Sequence, residues 1–301
     1  MSLFILGLGY SAMHYLTTRT ASERIVGTVR SLNKAQRIQA SHANIEALVF
    51  DAAAMDVAIE SRVASATRLL ISIPPSESGD PVHVHFAETI ARAPGLEQIV
   101  YLSAIGVYGD ANGAWIDEAA PLEPNSVRNR ARVTAEQQWI ALAQRAGKRL
   151  TILRLAGIYG PGQNALVNLR EGKARRIVKP QQVFNRIHVE DIARAIEAAF
   201  ATDAPGGIFN VTDDEPAPPQ DVIAYGAELL GMTPPPETPF DGADLTPMAR
   251  SFYSSNKRVS NRRMKEELGV RLTYPTYREG LRALAAQLSR DEIVGAGPRI
   301  S

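Results

Sequence analysis

The chain alternates short apolar runs with longer mixed stretches. The runs Leu3–Leu6, Arg24–Val29, Ile45–Phe50, Arg68–Ile73, Gln98–Leu102 and Leu150–Leu155 are rich in Ile, Val and Leu and show little polar alternation. Strands of that kind are covered on both faces, as in a parallel sheet held between helical layers. The stretches Ser11–Thr18, Ser31–Ala40, Val82–Ala93 and Val127–Ala146 lie between them and are long enough for crossover helices. Repeated strand–helix units predict an α/β fold with a doubly wound parallel sheet. After Gly160 the rhythm changes. A basic stretch runs from Arg170 to Arg186, followed by a predicted helix at Val189–Ala201 and a strand at Ile208–Val211. The Pro-rich segments DDEPAPPQ and TPPPETPFDG then punctuate helices expected near Gln220–Leu230, Lys257–Leu268 and Tyr277–Leu288. The expected organisation is a first domain over residues 1–160, to which 183–212 returns, and a smaller C-terminal α/β lobe built from 161–182 and 213–301.

Charge and composition narrow the function. Lys plus Arg is 33 and Asp plus Glu is 32 in 301 residues, a net charge of +1. Such a balance lacks the field of a dedicated nucleic-acid or anionic-membrane binder. With no cysteine, disulfides, thiolate nucleophiles and Cys-ligated metal centres are excluded. No apolar run reaches the ~18 residues of a membrane span, and MSLFILGLGY reads as a strand rather than a signal peptide. A cytoplasmic protein is expected. The five histidines are too scattered for a metal site: His83 and His85 diverge around a helix start, and His14 lies on the first helix. His188 suits a structural hydrogen bond better than catalysis.

Gly7-Leu8-Gly9-Tyr10-Ser11-Ala12 follows the first strand directly and reads GxGxxA. Gly7 permits a tight turn, Gly9 lets backbone approach a pyrophosphate, and Ala12 lets helix and strand pack closely. The helix N-terminus at Tyr10 and Ser11 then offers free N–H groups to phosphate. Between Gly9 and Glu46 the only acid is Glu23, ahead of the second strand rather than at its end. That strand ends Thr28-Val29-Arg30-Ser31, with Lys34 and Arg37 behind it. A guanidinium and a hydroxyl suit an adenosine 2′-phosphate, so NADP is favoured over NAD as cofactor; Arg30 as a plain exposed charge is the alternative. Asp51, closing the third strand, could accept from an adenine amino group or simply cap a helix.

Further blocks carry a family resemblance: YLSAIGVYGD at 101–110, IDEAAPLEP at 116–124, RARVTAEQ at 130–137, LRLAGIYGPG at 153–162, NRIHVEDIARAI at 185–196 and FNVTDDEP at 209–216. Together with the glycine loop they resemble the extended short-chain dehydrogenase/reductase superfamily, the NAD(P)-dependent epimerase/dehydratase group. The resemblance implies a Rossmann-type core with a smaller substrate lobe, and hydride chemistry assisted by a Tyr, a Lys four residues later and a Ser or Thr. It also places Ile73 and Pro74 beside the cofactor and Gly157 and Ile158 near the nicotinamide, and it pairs the 127–146 helix, through Ala143 and its neighbours, with a second subunit as a homodimer.

At the chemistry the chain departs from that pattern. Counting back from Ala135-Glu136-Gln137, Arg132 stands at the Lys position and Arg128 at the Tyr position. Ala104 replaces the Ser/Thr, although Ser103 beside it remains, and Ile105-Gly106 stand where dehydratases carry acids. The sequence is most similar to the subgroup that lacks the catalytic Tyr. Arg132 can still donate to a ribose hydroxyl but cannot act as a base, and Arg128 could grip a carboxylate or phosphate of an anionic small-molecule substrate. Ser103 and Tyr108 are the candidate substitutes for the missing hydroxyls, with Tyr159 behind them. The basic run from Arg170 to Arg186 reads either as a clamp for an anion or as a solvated loop. The expected function is an NADP-dependent oxidoreductase or epimerase with an unusual proton donor; a catalytically silent NADP-binding protein is the alternative.

Overall fold

The computed structural model describes residues 2–19, 24–51 and 55–295. In chain order the elements are β1 Leu3–Leu6, α1 Tyr10–Thr17, β2 Ile25–Val29, α2 Leu32–Ser41, β3 Ile45–Val49, α3 Ala58–Ser65, β4 Arg68–Ile71, α4 Pro81–Arg92, β5 Gln98–Ala104, β6 Trp115–Ile116, α5 Val127–Ala146, β7 Arg149–Leu155 and β8 Gly157–Tyr159. There follow α6 Ala165–Arg170, β9 Arg176–Val178, β10 Arg186–His188, α7 Val189–Ala199, β11 Gly207–Val211, α8 Pro219–Leu229, β12 Glu237–Pro239, α9 Pro247–Phe252, β13 Arg258–Val259, α10 Arg262–Glu266 and α11 Tyr277–Gly295.

Seven strands form one parallel sheet in the order β11-β7-β5-β4-β1-β2-β3. The order reverses between β1 and β4, and such a switch point opens a crevice at the carboxyl ends of the strands. Each face of the sheet carries its own core. On one face Tyr15 and Leu16 of α1, Ile38 of α2 and Ile192 and Ile196 of α7 pack against Ile5, Val100 and Leu153. On the other, Ile59 and Val63 of α3, Phe86 and Ile90 of α4 and Trp139 and Leu142 of α5 cover Phe4, Leu69 and Ile99. This is the two-sided covering that the unbroken apolar runs demand.

Local chemistry sets where the two helices behind the site begin. Asp80 caps α4, its Oδ1 accepting from the N–H groups of Val82 and His83, and Pro81 starts the helix. Its other oxygen accepts from Trp139 Nε1 at 2.9 Å, which fixes α5 against α4. Ser126 caps α5 by accepting from the N–H of Asn129. Behind the sheet's edge, Leu166 of α6, Val222 of α8 and Tyr277, Leu281 and Leu284 of α11 make a smaller cluster. Short parallel pairs β8–β10, β9–β12 and β6–β13 connect the C-terminal segments to the rest.

The helix expected over Lys257–Leu268 is a correction. Residues 258–259 are a strand paired with Trp115–Ile116, and the helix is confined to Arg262–Glu266. The chain stays extended because the N–H groups of Arg258 and Ser260 bond to the carbonyls of Ala114 and Ile116. Asn261 then turns it, donating to the Thr212 carbonyl and to Asp214. No helix among the described residues is long and apolar enough to cross a membrane.

Candidate active site

The glycine loop leaves β1 beside the switch point. Gly7 has φ +106°, and a Cβ there would stand 2.8 Å from Ile73 Cγ1 and 3.1 Å from the Ile73 N. Only glycine lets the loop lie this close to the end of β4. Thr28 holds the turn, its Oγ1 accepting from Gly7 N–H at 2.9 Å and its carbonyl accepting from Leu8 N–H. Gly9 is the N-cap of α1 and supplies no side-chain cap, and the first intrahelical bond runs from Met13 N–H to Gly9 O. The N–H groups of Tyr10, Ser11 and Ala12 therefore remain outside the helical ladder. A Cβ on Gly9 would meet nothing nearer than Ser72 Oγ at 4.0 Å. Open space over an uncapped helix start is what a pyrophosphate requires, so these residues fit a dinucleotide. Ala12 is fully buried, close under the sheet.

Around this loop, Lys34 reaches back from α2 and its Nζ donates to the Leu8 carbonyl at 2.8 Å. Arg30 is exposed just past β2, and Ser31 caps α2, its Oγ accepting from Lys34 N–H. Glu23 lies outside the described residues, and so do the neighbours that follow Asp51, which is itself exposed after β3. Half-buried Ile73 and exposed Pro74 form the opposite lip. Tyr10 spans the groove, its hydroxyl donating to the Pro161 carbonyl at 2.9 Å.

Beyond the carboxyl ends of β5 and β7 lies a cleft of about 550 Å³. Its walls are Ala104–Gly106, the start of α5, Leu155–Tyr159, Val183–Arg186 and a segment from Ser251 to Lys257. Gly157 and Ile158 line it, and so do Arg128 and Arg132. Arg132 is held near the floor, with a long 3.4 Å contact to the Leu102 carbonyl. Arg128 is exposed at the rim, its guanidinium over the Phe252 ring at 5.9 Å. The cations in the lining are Arg128, Arg132, Arg186 and Lys257, and no carboxylate is among them.

The two hydroxyls proposed to replace the missing dyad are corrections. Neither Ser103 nor Tyr108 lines the cleft. Buried Ser103 donates to Glu136 Oε1 at 2.5 Å. Tyr108 donates to Asn210 Oδ1 at 2.6 Å and accepts from Arg154 Nη1 at 2.8 Å. Both belong to an interior network centred on the Glu136–Arg154 ion pair (2.6 Å, both groups buried). Ser103 gives its proton to Glu136, and Tyr108 gives its proton to Asn210 while accepting from Arg154, so both help satisfy the pair, the condition for keeping two charges inside a core. Burial pushes the Tyr108 phenol above its ordinary pKa, against the pull of Arg154. Tyr159 does line the cleft with its ring, but its hydroxyl lies against α11, 3.4 Å from the Thr276 carbonyl.

His188 caps α7, its Nδ1 accepting from Glu190 N–H, and burial lowers its pKa to about 4. No cluster among the described residues could hold a metal ion. Within the basic run, Arg175, Arg176 and Lys179 bond to the carbonyls of Asp244, Pro235 and Tyr253 and so tether the C-terminal segments. Only Arg186 of that run faces the large cleft. The apolar stripe of α5 packs inward: Leu142 and Ala143 are buried within the chain, so they are not a free surface for a second subunit. Three cleft residues are not among those the sequence pattern singles out: Lys257, brought in by the extended segment before β13, Asn185, just ahead of β10, and Phe252, at the end of α9.

Residues 21–212 match the family described as NAD dependent epimerase/dehydratase. A 3-diazoavenalumate denitrifying reductase from a Streptomyces species is 28% identical over 239 residues, 72% of this chain and 76% of that protein. YeeZ of Escherichia coli K12 is 30% identical over 220 residues, 70% and 72% of the two chains. Among solved structures, a functionally unknown conserved protein from Silicibacter pomeroyi is 49% identical with a TM-score of 0.85, covering 95% of this chain and 99% of that one. UDP-glucuronic acid 4-epimerase from Bacillus cereus, solved with NAD, shares the fold at 16% identity and a TM-score of 0.75, covering 96% and 99%. With its glycine loop, its parallel sheet and this match over most of its length, the chain belongs to the NAD-dependent epimerase/dehydratase family.

Proposed function

We propose that the protein is an NADP-dependent oxidoreductase or epimerase of the extended short-chain type, acting on a small or nucleotide-sugar-like anionic substrate. The observation that carries this reading is the cleft, which adjoins the end of the sheet and presents four cationic side chains and no carboxylate. A cation and an anion 4 Å apart near a protein surface attract by roughly 4 kcal/mol before desolvation is counted, so an anion is strongly preferred there. A bound nicotinamide dinucleotide would supply or accept hydride. Gly7, Gly9 and the first turn of α1 would hold its pyrophosphate, Arg30 and Ser31 its 2′-phosphate, and Asp51 its adenine. Ile73 and Pro74 would flank it, Arg132 would donate to a ribose hydroxyl, and Gly157 and Ile158 would border the nicotinamide. The relative named a reductase and the neighbour solved with NAD support hydride chemistry of this kind.

A second reading is favoured by one observation. Guanidinium groups stand at both positions of the dyad, and the nearby hydroxyls of Ser103 and Tyr108 are bonded inward. On that basis the protein would bind NADP without turnover. Dinucleotide oxidation measured over a panel of carbonyl compounds, each paired with an uncharged counterpart, separates the two. Turnover of carboxylate- or phosphate-bearing compounds at least tenfold above their counterparts is expected, with NADPH preferred to NADH. Tight NADPH binding with no turnover selects the silent reading, and failure to bind either dinucleotide overturns both.

A further inference from the structure

Lys257 is the cleft residue for which the fold makes the most unusual provision. It stands on the extended segment before β13 and is almost wholly buried. Asn185 fixes its backbone from the adjoining wall: Asn185 Nδ2 donates to the Lys257 carbonyl at 3.0 Å, and the Asn185 carbonyl accepts from Gly157 N–H at 3.1 Å. Its Nζ donates to the Gly109 carbonyl, in the loop after β5, at 2.5 Å and to Ser255 Oγ, on its own segment, at 3.1 Å. Those two acceptors account for two of the three N–H bonds of an ammonium, and the residue lines the cavity.

Among the other hydroxyls of the lining, Ser251 donates to the Met248 carbonyl and the Tyr159 hydroxyl is turned to α11. Ser126 and Ser255 accept, from Asn129 N–H and from Lys257 Nζ, and keep their own protons, but a serine alcohol is too weak an acid to give one up near neutrality. The guanidiniums do not release protons in this range. From this geometry we infer that Lys257 is the proton donor of the cleft, standing in for the phenol that the family pattern would place at residue 128. The inference rests on the oxidoreductase reading. In carbonyl reduction, with the reduced dinucleotide as the source of the hydride that reaches the carbonyl carbon, the C=O π pair moves onto oxygen. One Nζ–H bond breaks, an O–H bond forms, and the neutral amine left behind regains a proton from solvent. The charged group that acts on the amine is Asp110, and Arg128, Arg132 and Arg186 line the same cleft. Burial lowers the amine to about pH 8, with Asp110 pulling the other way, which suits a donor working near neutrality.

The test uses the full-length protein, Lys257→Met and Lys257→Arg. NADPH affinity, measured by calorimetry, is expected to be the same in all three, which shows that the variants fold and that the groove is intact. In both variants kcat is expected to fall by about 10²–10⁴-fold, because arginine keeps the charge but cannot give up the proton. The wild-type decline in kcat as pH rises through about 8 should vanish with them. A readout independent of turnover is the rate at which trinitrobenzenesulfonate labels Lys257, followed by peptide mass spectrometry across pH. Its half-point is expected near 8. Retention of kcat within threefold in Lys257→Met, or a labelling half-point above about 10, the range of an ordinary lysine, overturns the assignment. Absence of wild-type turnover overturns the oxidoreductase reading instead. The labelling half-point then decides Lys257 alone, a value near 8 keeping it as the acid of the cleft and a value above 10 removing it.

Discussion

The two walls of the site are built on different principles. The glycine-loop wall works through backbone: Gly7 at positive φ, Gly9 under open space, and the unladdered N–H groups of the first turn of α1. The α5 wall works through side chains, on a stripe formed by residues 128, 132, 136 and 139. At its inner end Glu136 and Trp139 are fully buried and bonded to Arg154 and Asp80. At its outer end Arg128 and Arg132 face the cleft. Along this stripe, the departures from the family pattern, Arg128 and Arg132, fall at that outer end. The backbone path of the cradle is set by the fold itself, and the inner end is held by the cost of burying charge. The cleft-facing positions are constrained by neither.

Glu136→Ala probes the inner end and should have the largest effect. It leaves the buried Arg154 guanidinium and the Ser103 hydroxyl without their partner. Breaking a buried pair costs about 3–5 kcal/mol, to be read as a lower midpoint in denaturant unfolding. Replacing Glu136 and Arg154 together by apolar residues should recover much of that loss. A cost below about 1 kcal/mol for Glu136→Ala would show that the two ends of the stripe are equally free to change, and the contrast would fail. Gly9→Val probes the other wall. Gly9 has φ −89° and ψ −170°, extended backbone that valine adopts easily, so the fold should be kept at a cost of no more than about 1 kcal/mol for the poorer N-cap. The added side chain fills the space a pyrophosphate would use. Loss of two charge-assisted hydrogen bonds is worth about 3 kcal/mol or more, so NADPH should bind at least about 100-fold more weakly in a calorimetric titration. Unchanged binding would mean the groove is not where the dinucleotide lies.

This division also explains what the sequence could reveal. The central strands and their helices were legible because Ile, Val and Leu in unbroken runs can only be buried on both faces, and the turn at Gly7–Ala12 was legible because its spacing is a backbone requirement. Arg128 and Arg132 were placed by counting from Glu136. The short strands β6, β8, β9, β10, β12 and β13 were not visible, since two or three residues carry no periodicity and their pairings are fixed by distant segments. For the same reason Lys257 read as the start of a helix, although backbone bonds to Ala114 and Ile116 keep its neighbours extended. Ser103 and Tyr108 were placed near the right strand end. Which way their hydroxyls turn depends on Glu136, Arg154 and Asn210, which come from three other elements.

The smallest expected effect sharpens the comparison within the backbone-built wall, where one side chain is asked to add selectivity. No carboxylate stands at the end of β2 to meet a ribose 2′-hydroxyl; Arg30 and Ser31 follow it, and Lys34 is committed to the Leu8 carbonyl. If the pyrophosphate is held by N–H groups that both dinucleotides share, Arg30 should matter only for the one carrying a 2′-phosphate. Because the side chain is exposed, its contact is worth about 1.4 kcal/mol, the low end for a charged hydrogen bond. Arg30→Ala is therefore expected to weaken NADPH about tenfold and leave NADH within a factor of about two, both measured by fluorescence titration at one fixed ionic strength. Equal weakening of the two would show Arg30 acting as a general attractor for phosphate, and the selectivity would then have to come from the backbone itself.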